Sequence, residues 1–192
     1  MSDFLFFLQL GWEHIISTDA LDHQLFVIAL IVAYGIQDFR RILILITAFT
    51  IGHSITLALS VLDWIRIDPS WVEFLIPLTI FITATDNILM CRKKQTLIKM
   101  NYLLALLFGL IHGLGFANTA RMMLAKEQSL ALPLLGFNIG LELGQIVVVA
   151  LFLLISYLVL RILKVPEKYW MLGVSILIAL LSLKMVVERI PF

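Results

Sequence analysis

Charged side chains are scarce in this sequence. They make up 14% of its 192 residues, against 61% hydrophobic, where a soluble domain usually carries about a quarter. So little polar surface cannot coat a water-soluble globule, and the long apolar runs call instead for a polytopic membrane protein. The formal net charge is only +1, which argues against nucleic acid as a partner. A lone cysteine, Cys91, excludes an internal disulfide. The patterns GxSxG, HExxH, Walker A and CxxC are all missing, which removes the common soluble catalytic classes. No cleavable signal peptide is expected: the first apolar run, Phe4 to Leu10, lacks a basic flank and a small-residue cleavage site.

What the chain does have is apolar runs of membrane length. Residues 4–16 are too short for a hydrocarbon core that needs about 20, so they predict a short interfacial or re-entrant helix. Ser17, Thr18 and Asp19 are good N-cap residues and predict a fresh helix start. Six spans follow, at about 20–37, 42–62, 71–91, 101–123, 132–160 and 169–188. The expected fold is an all-α integral membrane protein, six transmembrane helices preceded by that short N-terminal helix, in one polytopic domain over residues 1–192. The loops after spans 1, 3 and 5 hold nine lysines and arginines, among them Arg40, Arg41, Arg161, Lys164 and Lys168. The other side holds five, including Arg66, Arg121 and Arg189. That bias predicts both termini outside the cytoplasm.

The polar residues inside these spans are few and specific. Four histidines occur in the chain. His14 and His23 flank Asp19 and Asp22 where span 1 enters the membrane. His53 falls near the middle of span 2, His112 near the middle of span 4, and Asn138, Glu142 and Gln145 share one face of span 5. The predicted orientation brings this set together in the outer half of the bilayer. A charge at the bilayer centre costs at least about 2.5–3.5 kcal/mol on insertion scales, so Glu142 and its neighbours need partners. Interhelical hydrogen bonds are one solution. A divalent transition metal is the other, because imidazole and carboxylate are its ligand types. Four histidines falling in one zone with acidic companions favours the metal.

Spacing constrains the first cluster. In one unbroken helix His14 and His23 would face opposite sides about 13 Å apart. They can share an ion only if the chain turns near Ser17–Asp19, folding the N-terminal helix over the mouth of the bundle. After such a break Asp19, Asp22 and His23 stand on one face, although Asp19 serves equally well as a helix cap. Gly136, Gly140 and Gly144 in span 5, and Gly109 and Gly113 in span 4, form small-residue ridges for close helix contact, within the chain or in a homo-oligomer. Trp12, Trp64, Trp71 and Trp170 sit where interfacial anchors are expected.

Four stretches then resemble one family: HIISTDALDHQLF at 14–26, TAFTIGHSITL at 47–57, FGLIHGLGFA at 108–117 and GFNIGLELGQ at 136–145. The chain resembles the HupE/UreJ family of membrane proteins, implicated in nickel or cobalt supply to hydrogenase and urease. The resemblance implies a six-helix protein of the bacterial inner membrane with a divalent-cation ligand set. By match, that set is His14, Asp22, His23 and His112, with His53 and Glu142 beside them and Asp19 as a further candidate. Seven residues separate His14 from Asp22 here, where the family's nickel permeases have five, so the metal stays open between nickel, cobalt, zinc and copper. Three functions are carried forward: a metal-ion permease first, then a membrane-embedded zinc-type hydrolase, then a structural or accessory subunit.

Overall fold

The structure, a computed structural model, describes residues 3–91, 98–124 and 130–191. Among these it contains eight helices and no strand: α1 (Asp3–Ile16), α2 (Leu21–Ile31), α3 (Phe39–Val61), α4 (Pro69–Met90), α5 (Ile98–Gly115), α6 (Ala117–Leu124), α7 (Ala131–Tyr157) and α8 (Glu167–Glu188). Four segments are long and apolar enough to cross a membrane unbroken: Ile36–Val61, Pro69–Met90, Ala131–Ile162 and Glu167–Glu188. Two bent helix pairs pass the same test together, each as a broken span or a re-entrant loop. Phe4–Ile16 joins Leu21–Ile31 through a 70° bend, and Tyr102–Gly115 joins Ala117–Met123 through one of 52°. The six expected segments are therefore all helical, and the short N-terminal helix forms the first half of one bent pair. Span 1 is correspondingly shorter than its expected 20–37.

Three pairings build the bundle: α1 on α7, α3 on α5 and α4 on α8. Glycine sets the first two. A methyl group added at Gly136 or Gly140 would fall on the Phe4 or Leu8 carbonyl, and one at Gly144 would press on Ile15. The matched numbers rise together, so α1 and α7 run in the same direction with their backbones in contact. Gly109 and Gly113 seat the backbone of α3 at Phe49 and His53 in the same way. Both ridges are thus filled by helices of the same chain, the first of the two uses expected of them. Trp12 takes part in the same contact through its backbone, which abuts Gly140.

Local chemistry fixes the element ends. Asp68 caps α4 by accepting from the Ser70 amide at 3.0 Å, with Pro69 in the first turn. Bonds from the Ser70 hydroxyl, at 2.7 Å, and from its amide hold the exposed Asp68 carboxyl below its ordinary range. At the α1–α2 break the last carbonyls of α1 have no helical amide ahead of them. Gln24 supplies donors instead, its Nε2 lying 2.9 Å from Ile15 O and 3.0 Å from Ser17 O. The core around this end is apolar and tight, with Phe26, Phe49, Ile46, Ile80 and Leu141 almost wholly buried.

Candidate metal centre

Both broken spans break at the same place. His14 lies in the last turn of α1, Asp22 and His23 in the first turn of α2, and His112 in the last turn of α5. A cavity of about 190 Å³ opens between them, lined by all four and by Ser17, Glu73, Phe116 and Arg189 among others. Broken helices suit such a position, because irregular backbone within a membrane is tolerated where it lines a cavity. One ligand atom from each of His14, His23 and His53 lies within 4.8 Å of the other two. Nitrogens bound to one ion at about 2.0–2.1 Å stand about 3.4 Å apart in a tetrahedron and about 4.2 Å apart in trans positions. A closure of at most about 1.4 Å would bring the set to tetrahedral spacing. The fourth imidazole, His112, is a neighbour, its ring centre 5.0 Å from that of His23.

Hydrogen bonding leaves the outward nitrogens free. His23 Nδ1 donates to Asp22 Oδ1 at 2.9 Å, and His112 Nδ1 donates to the Phe108 carbonyl at 2.8 Å. A carboxylate and a carbonyl only accept, so each ring carries its proton on Nδ1 and its lone pair on Nε2. His23 Nε2, His112 Nε2, His14 Nε2 and both nitrogens of His53 are buried without a hydrogen-bond partner. An unsatisfied buried polar group costs about 1–3 kcal/mol, so this cluster is expensive unless something binds it. The donor set fits a borderline divalent cation.

Aromatic rings wall the histidines in. Phe26 and Phe49 lie 5.2 and 5.1 Å from His112, and Phe116 and Phe137 stack at 4.8 Å with His14 4.6 Å from Phe116. This wall is why the imidazoles find no stray polar partners. It also keeps water from competing for them away from the open side.

The remaining candidates are placed as follows. Asp22 reaches the cluster, but its Oδ1 is occupied by the ring and backbone amide of His23, and its Oδ2 faces Arg189 Nη1 at 3.7 Å. It orients a ligand in the form the structure takes. Asp19 lies in the turn between α1 and α2, with its side chain outside the described residues. Glu142 is not brought to the cavity; Thr47 donates to its Oε1 at 2.6 Å, beside a Thr50–Gln145 bond of 2.9 Å. Three contributors were not singled out from sequence: Arg189, the Gly115–Phe116 break and Gln24. Only Gln24 carried a signal, as a lone amide in an apolar run.

A family model described as HupE / UreJ protein matches residues 1–189. The chain belongs to the HupE/UreJ family. The match runs through both broken spans and every candidate ligand. Neither a curated protein nor a solved structure is similar enough to this chain to match it. HupE/UreJ membership points to metal handling, and the histidine set gives this member a place where a metal fits.

Proposed function

We propose that this HupE/UreJ protein binds a divalent transition-metal ion as its cargo and carries it across the membrane. The observation that supports the reading most directly is the convergence of His14, His23 and His53 ligand atoms within 4.8 Å, with their free nitrogens buried. Asp22 and Glu73, at the cavity, would draw the ion in from the side where α4 begins and α8 ends. His14, His23, His53 and His112 would then replace its water. The charge bias between the loops makes that side the outer one, with both termini outside the cytoplasm. An open cavity beside the imidazoles, rather than a closed cage, suits an ion that must also leave.

Elemental analysis of the purified protein tests this, repeated on His23→Ala and His112→Ala. Metal in the parent and loss in the variants is expected; equal content in all three sinks the reading. Uptake of the bound metal into sealed vesicles then separates a permease from a site that only stores or uses the ion.

The cavity favours one second reading. A three-histidine site with room for water is also the plan of a zinc hydrolase, in which Glu73 on the cavity wall would stand as general base. Vesicles that bind the metal and move none would favour it.

A further inference from the structure

The cavity has one feature a cation site should not want. Arg189, at the C-terminal end of α8, lines it together with Asp22 and Glu73. Its Nη1 lies 3.7 Å from Asp22 Oδ2, too far for a hydrogen bond and close enough for a loose ion pair. Its side chain is 35% exposed and that of Asp22 15%. Neighbouring Glu188 pairs with Lys184 at 3.6 Å, while the Arg189 guanidinium faces the cavity carboxylate of Asp22. Asp22 is meanwhile held by its other oxygen against His23. The oxygen facing Arg189 is thus the one free to meet an incoming ion.

We propose that Arg189 is a charge filter at the mouth of the site, a built-in monovalent cation that an entering ion must displace from Asp22. This rests on the metal-transport reading above. A sodium or potassium ion brings the same charge as the guanidinium and gains nothing by the exchange. A divalent ion brings twice the charge and has the imidazoles behind Asp22 to bind next. Arg189 therefore sets a threshold that admits divalent cations and refuses monovalent ones, at some cost in affinity. An arginine suits this role because it stays protonated at every working pH.

The test is isothermal titration of the full-length protein in detergent with nickel chloride and zinc chloride. Each runs once in sodium chloride and once in N-methylglucamine chloride of equal ionic strength. Equal ionic strength holds screening constant, so a difference between the salts reports a small cation entering the site. The parent should bind metal equally in both. Arg189→Gln should bind about threefold tighter in N-methylglucamine chloride, the factor an exposed ion pair is worth, and should lose that gain in sodium chloride. Arg189→Lys keeps the charge and should behave as the parent. Arg189→Met, which keeps the stem, replaces the Gln variant should that fail to elute as a folded protein. A folded neutral variant that binds metal no tighter than the parent, or equally in both salts, overturns the filter. A parent that binds neither metal overturns the transport reading, and the filter with it.

Discussion

The α1–α2 break is held by one side chain, and its removal should be felt at the metal. Gln24 Nε2 lies 2.9, 3.4 and 3.0 Å from the carbonyls of Ile15, Ile16 and Ser17. An amide has two N–H groups, so two good bonds and one long contact are lost in Gln24→Ala. At about 0.5–1.5 kcal/mol net per bond, the loss is about 1–3 kcal/mol. The Gln24 amide thus caps the end of the helix that carries His14, whose ring centre is 4.7 Å from that of His23. If the whole loss falls on the geometry that brings the two rings together, metal affinity drops by about five- to 150-fold, since 1.4 kcal/mol is a factor of ten. Gln24→Glu keeps the shape but offers no donors and sets a carboxylate against carbonyls, so it should be at least as damaging. Titration calorimetry of folded, full-length variants measures the drop. A Gln24→Ala protein with parental affinity would refute the claim that Gln24 fixes the His14–His23 approach.

Two further outcomes are expected. His53→Leu should remove metal binding without weakening the metal-free fold, because both nitrogens of His53 are buried and unpartnered and an apolar side chain avoids about 1–3 kcal/mol of desolvation for each; metal content and a thermal melt read the two effects separately. Gly140 and Gly173 should behave oppositely on alanine substitution: at Gly140 the new methyl meets the Leu8 backbone and forces α1 off α7, whereas at Gly173 it meets nothing within 4 Å. Gly140→Ala should lower the melting temperature and the metal content together. Gly173→Ala should raise stability by about 0.5–1 kcal/mol through helix propensity alone.

Much of this was legible in the sequence for definite physical reasons. Apolar length marks a span because nothing else satisfies about 20 residues of backbone in lipid. The His14–His23 spacing required a turn because a helix of that length puts the two on opposite faces. The turn lies at Ser17 and His14 meets His23 there, but α2 starts from Ala20 and no side-chain cap bond forms at Ser17 or Ala20. The fold of α1 onto α7 was not legible, since a glycine ridge states that something comes close without saying what. The break at Phe116 also escaped notice, because Gly115 is followed by no capping residue and the apolar run continues through it. Glu142 shows the limit of reading faces. It shares a face with Asn138 and Gln145, yet Thr47 meets it first, and that partner sits 95 residues away in the chain.

The α1–α7 pairing has a consequence for how the protein is made. All four histidines are synthesised by residue 112, but the ridge that seats His14 begins at Gly136, about 120 residues after α1 ends. At about 5–20 residues per second, the ribosome needs about 6–24 s to deliver it. Until then α1, 14 residues long, is too short to cross the bilayer alone and lacks the helix it docks on. A nascent chain stopped before Gly136 therefore holds every imidazole of the cluster but lacks the helix that seats His14. If the cluster holds the proposed ion, its occupancy therefore reports that α7 has been made and docked on α1.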